Sequence, residues 1–402
     1  MRTHLAFTGF ADKRLHLGVT GSIAAYKALD LLRMWRSCGL AVGVTVTGAG
    51  QKFTPLVNYR ALGADPVYSG MFEDDSVYAH LEPGQQGDAL VIAPATANML
   101  AKLAAGLADD MLSAQALSFP GPKVVAPAMN PRMWAAEPTR QNWKRLKESG
   151  YICIEPESGQ VACDDSGEGR LADSDKIYMY GLRAALPGDM SGVRVLVGIG
   201  PTREPWDAVR HWSNPSTGTQ GAAAAAAAWL RGATVTAVCG PGVPWLPGEV
   251  MRIDVSTAAE MFDAVMDVWP EQDVGLMTAA VADFRPAGGP EGKFKKDTGG
   301  RLTIEFEPTA DILTEMGNRQ KGDRKLIGFA AETDNLEDNA RAKLDRKNLD
   351  LILANPIGTR GAGFVVATNR ITAVDRTGRI EKWPELPKTE VAWRIWDWIL
   401  SL

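Results

Sequence analysis

Short apolar runs and longer amphipathic stretches alternate along this chain. Runs such as LHLGV, DALVIAPA and KVVAP predict buried strands, because they are apolar and are bounded by turn residues. The stretches between them, among them AAYKALDLLRMWRS, repeat apolar residues at helical spacing. Strands that alternate with helices favour a parallel sheet with crossover helices. The pattern therefore predicts an α/β fold with mainly parallel sheets.

The same alternation begins again near the middle of the chain, where VRVLVGIG, ATVTAVCG, KLIGFAAET and LDLILANP are the predicted strands. A chain of 402 residues favours two domains over a single core. Between the halves, ALPGDMSGVR has the Pro and Gly content of a linker. We predict a mobile leader at 1–14, a first domain at 15–185, a linker at 186–192 and a second domain at 193–402.

Composition narrows the class of protein. Hydrophobic residues make up 45% of the chain and charged residues 23%, as in ordinary soluble globular proteins. The net charge of −5 gives no electrostatic reason to expect nucleic acid or an anionic membrane as a partner. The apolar runs are too short for a transmembrane helix, and we expect a cytoplasmic protein. The cysteines are scattered without a CxxC pair, which argues against a disulfide framework or a zinc site.

Polar residues follow several predicted strands of the first half. Gly21, Ser22 and Ile23 come after one strand, and Thr96 and Asn130 come after two others. In parallel α/β sheets, ligands bind at the carboxyl ends of the strands. The alternative is that these residues only cap the helices that follow. The pattern alone leaves both interpretations open.

The segment Val193–Gly221 begins the second half with a predicted strand, a polar loop and the start of a helix. Its strand ends in Gly, a loop rich in Gly, Pro, Ser and Thr follows, and the Ala-rich helix GAAAAAAAWLRG comes next. A polar loop between a strand end and a helix start favours anions, because exposed N–H groups and the helix dipole both attract them. The loop has no GxGxxG pattern, so an ordinary dinucleotide site is not expected.

The second half resembles a known enzyme domain. GPTREPWDAVRHWSNPSTG, AAVADFRP, KFKK, GFAAET and KLDRKNLDLILAN occur in the order found in the phosphopantothenate–cysteine ligase domain of the bifunctional coenzyme A biosynthesis flavoprotein. The resemblance implies that CTP activates 4′-phosphopantothenate as an acyl-cytidylate, which the amine of cysteine then attacks. Mg²⁺ is expected with the triphosphate, although the sequence identifies no metal ligands.

The resemblance also implies roles for single residues of the second half. Asn214 would stabilise the acyl-nucleotide intermediate, and Lys293 would reach the triphosphate from a loop. The alternatives are a turn asparagine before Pro215 and an ordinary solvated surface lysine. The residues expected to contact CTP are Ala279, Asp283, Lys293, Asp311, Phe329, Lys343 and Lys347.

The first half resembles the FMN-dependent phosphopantothenoylcysteine decarboxylases. The resemblance is carried by GSIAAYK, AHLE, APATANMLAKLAAG, PAMNPRMW and ACDDSGEGR, in that order. These enzymes are homo-oligomeric flavoproteins, so the resemblance implies a homo-oligomer that binds FMN. It also implies two Rossmann-like domains, of which the first is a flavodoxin-like FMN-binding domain. It implies that FMN oxidises the thiol-bearing carbon, that CO₂ is lost, and that re-reduction gives 4′-phosphopantetheine. Trp134 and Trp143 are candidates for the contact between subunits.

Three residues of the first half would carry its chemistry by the same resemblance. His80 would be the base or a positioning residue, Asn130 would bind the substrate carboxylate or amide, and Cys163 would protonate the product. The alternatives are a structural histidine, a turn asparagine before Pro131, and a small buried cysteine. The residues expected to contact FMN are Gly21, Ser22, Ile23, Thr47, Ala95, Thr96 and Asn98.

Four departures from the family pattern are visible. Asp164 replaces a glycine after Cys163, Asp109 changes an AND motif, Thr219 replaces a lysine of the loop SSGKMG, and Thr309–Ala310 replaces the first two residues of an NPDI motif. None of them removes a residue with an expected role in catalysis. A non-catalytic or regulatory flavoprotein of the same fold is the alternative function, and a flavin-dependent prenyltransferase relative is a third.

Overall fold

The structure, a computed structural model, describes residues 2–72, 77–160, 165–290, 292–295, 301–320, 322–332, 336–356 and 366–402. The chain forms two compact units. Unit 1 contains Arg2 and Ala6–Pro187, and unit 2 contains Thr3–Leu5 and Gly188–Leu402. Each is an α/β unit with its own sheet, as the alternating pattern predicts.

The strands of unit 1 are β1 (Arg14–Val19), β2 (Ala41–Val46), β3 (Val67–Tyr68), β4 (Ala89–Ala95), β5 (Lys123–Pro127), β6 (Ile152–Cys153), β7 (Glu157–Gln160) and β8 (Ser166–Arg170). Its helices are α1 (Tyr26–Ser37), α2 (Gly48–Gln51), α3 (Leu56–Ala61), α4 (Glu82–Gln86), α5 (Ala97–Ala105), α6 (Met111–Ser118), α7 (Pro131–Ala135), α8 (Glu137–Glu148) and α9 (Ser174–Ala185), with a 3₁₀ turn at Ile23–Ala25.

The main sheet of unit 1 has the strand order β3-β2-β1-β4-β5-β6, and all of its strands are parallel. This is the doubly wound order 3-2-1-4-5-6. The central strands β1 and β4 are buried almost throughout, because helices cover both faces of such a sheet and the strands must be apolar on both sides. β7 and β8 form a separate antiparallel hairpin.

The strands of unit 2 are β9 (Arg194–Ile199), β10 (Arg203–Pro205), β11 (His211–Ser213), β12 (Thr234–Cys239), β13 (Met251–Asp254), β14 (Val274–Met277), β15 (Phe284–Pro286), β16 (Phe306–Pro308), β17 (Lys325–Glu332), β18 (Leu351–Pro356), β19 (Thr368–Asp375) and β20 (Ile380–Pro387). Its helices are α10 (Thr219–Leu230), α11 (Ala258–Val268), α12 (Ile312–Asn318), α13 (Leu336–Arg346) and α14 (Lys388–Leu400).

The large sheet of unit 2 has the order β13-β12-β9-β14-β17-β18-β19-β20. Its parallel strands, counted along the chain, again follow the order 3-2-1-4-5-6, and β19 and β20 extend the sheet as antiparallel strands. The predicted fold class, two Rossmann-like domains with mainly parallel sheets, is confirmed. The sequence pattern missed β19 and β20.

The helices of unit 2 divide between the two faces of its sheet. α11, α12 and α13 pack in one hydrophobic cluster, to which the sheet contributes Leu196 and Ile352. α10 and α14 pack on each other outside that cluster, and Trp396 Nε1 of α14 donates to the carbonyl of Ala224 in α10 at 2.9 Å. A sheet has two faces, because adjacent side chains of a strand point to opposite sides. α11, α12 and α13 cover one face of this sheet, and α10 and α14 cover the opposite face.

Two expectations about the unit surfaces were wrong. The leader is not a mobile tail, because His4 and Leu5 are buried and His4 Nε2 lies 2.7 Å from the carbonyl of Trp245. Trp134 and Trp143 are only 1% and 3% exposed. Their rings pack edge to face with centroids 5.3 Å apart, so these side chains belong to the core of unit 1 and offer no surface for a subunit contact.

A truncation at this tryptophan pair should destabilise unit 1. We expect Trp134→Ala to lower the free energy of unfolding by about 3–5 kcal/mol, because it empties a closely packed site. Urea unfolding followed by circular dichroism measures the change. Leu117→Ala is the control, since Leu117 is exposed on α6. A variant with unchanged stability but altered oligomeric state would contradict the core assignment.

Every helix in the part of the chain that the structure describes is too short or too polar to span a membrane.

Candidate functional site

Unit 1 contains a cavity of about 540 Å³ at the carboxyl edge of its main sheet. The cavity lies where β1 and β4 end. In the order 3-2-1-4-5-6, these two strands flank the point at which the winding reverses, and ligands of doubly wound sheets bind there. The residues that line it are Gly21, Ser22, Ile23, Ala24, Tyr26, Lys27, Thr96, Ala97, Ala128, Met129, Asn130, Met133, Gln160, Gly169, Arg170 and Leu171.

Hydroxyl groups fix the strand ends next to this cavity. Thr20 Oγ1 donates to the carbonyl of Pro94 at 2.7 Å and accepts from the N–H of Thr96 at 3.0 Å, which joins the ends of β1 and β4. Thr96 caps α5 by accepting from the N–H of Met99, and Ser22 caps the 3₁₀ turn by accepting from that of Ala24. The capping interpretation therefore holds for both residues, and both also line the cavity.

Asn130 lies in the cavity wall under the β7–β8 hairpin. Its Oδ1 accepts from the N–H of Arg132 at 2.8 Å and caps α7, while its Nδ2 donates to Asp165 Oδ2 at 2.7 Å. Arg132 binds the other carboxylate oxygen of Asp165 at 3.1 Å. A Cβ at Gly169 would lie 2.5 Å from the carbonyl oxygen of Met129, so only glycine lets the hairpin approach this closely. Asp165 was not anticipated from the sequence.

Four candidate residues of unit 1 lie away from this cavity or outside the described residues. Thr47 caps α2 by accepting from the N–H of Gly50 at 3.2 Å. Ala95 is buried in β4, and Asn98 is exposed on α5. None of these three is among the residues that line the cavity. Cys163, together with its neighbour Asp164, lies outside the described residues.

His80 also lies outside the lining of this cavity, on a segment that α6 holds. Ser118 Oγ donates to the His80 carbonyl at 2.8 Å, and Gln115 Nε2 donates to the Ala79 carbonyl at 3.0 Å. α6 in turn begins at a capping box in which Asp110 accepts from the N–H of Ser113 at 2.8 Å. The altered AND motif therefore retains the cap that sets the start of α6.

The lining of the cavity fits a flavin nucleotide. Ile23, Met133 and Leu171 supply apolar walls of the kind that a planar ring requires. Thr96 and Ala97 place the N-terminus of α5 at the cavity, where N–H groups and the helix dipole favour a phosphate. The volume is within the range of small-molecule and cofactor sites.

Unit 2 contains a cavity of about 510 Å³ at the corresponding edge of its sheet, beyond the ends of β9, β14, β17 and β18. Its lining brings together distant parts of the chain. The candidate residues that line it are Asn214, Ala279, Asp283, Asp311, Phe329, Lys343 and Lys347, and they are joined by the loop Ser216–Gly221, Thr278, Asn355, Asn369 and Lys388.

The loop before α10 forms one wall of this cavity. Gly218 has a φ of +69° at the N-cap of α10, a conformation that favours glycine. Thr219 begins the helix, and its hydroxyl lies 2.8 Å from that of Thr217. The position that holds lysine in the family pattern therefore carries a neutral hydroxyl pair here. A Cβ at Gly221 would lie 2.2 Å from Thr278 Oγ1, so α10 can approach β14 only with glycine there.

Asn214 is held across the cavity by two backbone carbonyls. Its Nδ2 donates to the carbonyls of Ala280 and Val281, both at 3.1 Å. Carbonyl oxygens only accept hydrogen bonds, so the nitrogen end of this amide is fixed and both of its hydrogens are used. Oδ1 is the end that remains for a ligand. A donor role toward an acyl oxygen would require Nδ2 to leave these carbonyls.

An ion pair lies at the other wall of the cavity. Lys347 Nζ contacts both carboxylate oxygens of Asp311, at 2.9 and 2.8 Å, and Asp311 also caps α12 through the N–H of Thr314. Burial would raise the pKa of Asp311, but the hydrogen bonds from Lys347 and Thr314 lower it overall. Asp311 is therefore ionised and orients Lys347 at the cavity. The change of NPDI to TADI leaves this arrangement intact.

Lys293 is exposed and lies outside the lining of this cavity. Its neighbour Phe294 packs on Trp206 with ring centroids 5.2 Å apart, and the Phe294 N–H donates to Asp207 Oδ2 at 3.0 Å. Burial would raise the pKa of Asp207, but backbone N–H groups and Arg210 lower it to about 2. An ionised Asp207 therefore attaches the Lys293 segment to the turn that follows β10.

No cluster of His, Cys, Asp or Glu among the described residues has the arrangement of a metal site.

Comparison with known proteins gives the family. The family model "DNA/pantothenate metabolism flavoprotein C-terminal domain" matches residues 190–402, and the family model "Flavoprotein" matches residues 9–183. The coenzyme A biosynthesis bifunctional protein CoaBC of Bacillus subtilis (strain 168) is 38% identical over 397 residues, which cover 97% of this chain and 97% of that protein. The chain belongs to the family of bifunctional coenzyme A biosynthesis proteins.

Other members of this family are similarly close. The CoaBC protein of Escherichia coli (strain K12) is 40% identical over 359 residues, which cover 88% of each chain. A crystal structure of the C-terminal domain of a CoaBC protein aligns with 53% of this chain and 96% of its own, at 37% identity and a TM-score of 0.45. The chain is thus a bifunctional coenzyme A biosynthesis enzyme whose first half is a flavoprotein domain.

Proposed function

We propose that unit 2 joins cysteine to 4′-phosphopantothenate with CTP, through an acyl-cytidylate, and that unit 1 decarboxylates the product to 4′-phosphopantetheine with FMN. The observation that supports this most directly is the pair of cavities at equivalent sheet edges. The unit 2 cavity gathers all but Lys293 of the residues that the family pattern associates with its half-reaction, and the unit 1 cavity gathers half of those for its own. The cytoplasmic location expected from the sequence stays a prediction.

In unit 2, activation of a carboxylate requires positive charge near the triphosphate and a site for the attacking amine. Lys343 and Lys347 would supply the charge, while Asp283 and Phe329 would border the nucleotide. We assign Asn214 Oδ1 to the amine of cysteine, because an acceptor orients an N–H group for attack. Mg²⁺ would be carried in by the triphosphate oxygens rather than by a preformed cluster of carboxylates.

In unit 1, FMN would lie between Gly21–Ile23 and Thr96, with its phosphate at the start of α5. Bound FMN supplies the oxidation of the thiol-bearing carbon and its later reversal. Asn130 Nδ2 would bind the substrate carboxylate in place of Asp165, whose carboxylate it now contacts. Cys163 would donate the final proton, a role that stays a prediction.

We propose further that unit 1 works as a homo-oligomer. His80 is held by α6 outside the cavity that contains Asn130. A second copy of the chain would bring a His80 to that cavity and complete the set of catalytic groups. Gel filtration with light scattering tests this proposal. An active monomer would contradict it.

One experiment tests both halves. The purified full-length protein is examined by absorbance for a flavin, and is then supplied with 4′-phosphopantothenate, cysteine, Mg²⁺ and either CTP or ATP. We expect a yellow protein that forms 4′-phosphopantetheine with CTP, detected by mass spectrometry. Accumulation of the cysteine adduct would locate the failure in unit 1, where Asp164 is the first residue to revert to glycine. A yellow protein that forms neither product would favour a regulatory flavoprotein.

A further inference from the structure

A buried network of three polar side chains crosses the core of unit 1. His16 is in β1, Thr45 is in β2 and Gln115 is in α6, and each is 3% exposed or less. His16 Nε2 lies 2.7 Å from Thr45 Oγ1, which lies 2.5 Å from Gln115 Oε1. Gln115 Nε2 donates to the carbonyl of Ala79 at 3.0 Å. The buried network therefore joins the main sheet to the residue that precedes His80.

The direction of each hydrogen bond in the buried network is fixed. A carbonyl only accepts, so Gln115 must point Nε2 at Ala79 and Oε1 at Thr45. The Thr45 hydroxyl gives its one hydrogen to Gln115, so it accepts from His16 Nε2. Burial lowers the pKa of His16 to about 3, so its ring is neutral near pH 7. The glutamine amide does not titrate, so the network holds positions and is not a proton relay.

The sheet leaves a space for this arrangement. His16 is paired with Gly43 in the parallel register of β1 and β2, and Thr45 is two residues further along β2 on the same face. A Cβ at Gly43 would lie 2.7 Å from His16 Nδ1. The imidazole therefore occupies the volume that a side chain at Gly43 would need, and the register of the two strands sets where the network begins.

Two further attachments hold residues 78–82, the turn that carries His80. Ser118 Oγ donates to the His80 carbonyl at 2.8 Å. The hydroxyl of Tyr68 in β3 donates to the carboxylate of Glu82. Together with the buried network, these hydrogen bonds fix the backbone on both sides of His80. The direction in which the imidazole leaves the backbone is therefore set by the core of unit 1.

Stability alone gives little reason for polar groups at these core positions. Each buried polar group loses its hydrogen bonds to water, and the bond that replaces them contributes only about 1 kcal/mol net. Apolar side chains of similar size in place of all the partners can be nearly neutral. A fully satisfied polar network, in contrast, rigidifies one arrangement of the core. The contribution of the network is therefore a fixed position for the turn.

We infer that Gln115, held by Thr45 and His16, is a positioning residue for His80 in the decarboxylation reaction. This inference rests on the proposed function, in which His80 takes part in the chemistry of unit 1. A catalytic imidazole must lie within hydrogen-bonding reach of the atom on which it acts, and a displacement of about 1 Å can lower a rate about 100-fold. Gln115 is fully buried, so it acts only through the backbone at Ala79.

Gln115→Met tests this inference in the full-length protein, because it keeps the size of the side chain and removes both of its hydrogen bonds. With pre-formed phosphopantothenoylcysteine, we expect kcat for the release of CO₂ to fall about 10- to 100-fold, while KM changes less than about threefold. Flavin absorbance and circular dichroism should be unchanged. Hydrogen exchange followed by mass spectrometry should be faster in residues 78–82 and unchanged in β4. Gln141→Met makes the same change at an exposed position of α8 and should alter none of these readouts.

A carboxyl group at the same position gives a pH signature. In Gln115→Glu, a protonated carboxyl can donate to the Ala79 carbonyl and accept from Thr45, as the amide does, whereas a carboxylate cannot donate. Burial beside a carbonyl raises the pKa of the introduced group. Activity relative to wild type should therefore be highest at low pH and fall as the pH rises through that pKa. A low relative activity that is the same at every pH would contradict the inference.

A double variant separates positioning from other effects. His80→Asn should remove most of the activity, and adding Gln115→Met should lower the remainder less than about twofold, because no imidazole is left to position. Losses that multiply in full would show that Gln115 acts by another route. If Gln115→Met does not fold, Thr45→Val keeps the shape of its side chain and should lower kcat about three- to tenfold. A wild-type kcat in that variant would overturn the inference.

The outcomes also separate this inference from the proposed function. If His80→Asn is inactive but Gln115→Met has the wild-type kcat, the inference is wrong and the proposed function stands. If His80→Asn keeps full activity, the proposed role of His80 fails and the inference fails with it. If the wild-type protein releases no CO₂, the decarboxylase function itself is overturned.

Discussion

Asn214→Asp is expected to reduce adduct formation by about 100- to 1,000-fold, as the loss of one catalytic hydrogen-bonding group does in other enzymes. The Nδ2 group of Asn214 now donates to the carbonyls of Ala280 and Val281. In the aspartate variant, a carboxylate oxygen would face these two carbonyl oxygens in place of the amide nitrogen. Oxygen atoms that only accept hydrogen bonds repel each other, so the side chain would leave this position. It would also place negative charge beside a triphosphate and an acid. Adduct formation in the presence of CTP, followed by mass spectrometry, measures the loss.

Decarboxylation serves as the internal reference for this variant. The protein is supplied with pre-formed phosphopantothenoylcysteine, and unit 1 should process it at the wild-type rate. Asn318→Asp makes the same change at an exposed position at the end of α12 and should leave both activities intact. Loss of both activities in Asn214→Asp would indicate misfolding, and an unchanged ligation rate would exclude Asn214 from the chemistry.

Asn130→Asp should give the opposite result, with decarboxylation lowered about 100-fold and adduct formation unchanged. Aspartate can still cap α7, so the local fold should survive. The introduced carboxylate, however, would face Asp165, whose oxygen lies 2.7 Å from Nδ2, and it would repel the carboxylate of the substrate. The yellow colour should persist, since Asn130 is the only one of the residues lining the cavity that changes, and the residues proposed to hold FMN, Gly21–Ile23 and Thr96, are untouched. The rate of release of CO₂ measures the effect.

This variant also has a pH signature. Two facing carboxylates hold one proton more strongly than a single one does, so one of the pair has a raised pKa. The protonated form resembles the original amide, and the residual activity should therefore rise as the pH falls. The double variant Asn130→Asp with Asp165→Asn restores a hydrogen bond of reversed polarity. If it recovers full activity, the loss came from the hairpin contact alone, and Asn130 does not bind the substrate carboxylate.

The alternation of strands and helices predicted the fold class, because the central parallel strands are local apolar runs and the crossover helices repeat apolar residues at helical spacing. β20 could not be recognised from that alternation, for a physical reason. β20 lies at the sheet edge, where proline and charged residues are common, and its segment contains Pro384 as well as Glu381 and Lys382. Its pattern therefore has little of the apolar character by which the buried strands are recognised.

The residues that line the cavities also divide into those whose position local sequence predicts and those that only tertiary packing brings there. Ser22, Thr96 and Asn214 follow strands directly, so their position at the sheet edge could be predicted from local sequence. Asn369 and Lys388 could not, because antiparallel pairing and the packing of α14 on α10 bring them there from far along the chain. The error over Trp134 and Trp143 also comes from tertiary packing, since both rings are buried in a hydrophobic cluster with residues of β4 and α5.

The placement of Thr3–Leu5 has a consequence for how the protein is made. These residues precede unit 1 in the chain, yet they pack with α10 and α14 of unit 2, which is synthesised after unit 1. Domains generally fold in order of synthesis, so the packing site of this short segment is not complete until α14 has been synthesised. A single cut at the linker would not release two complete units, because the piece containing α14 would lack the buried Leu5.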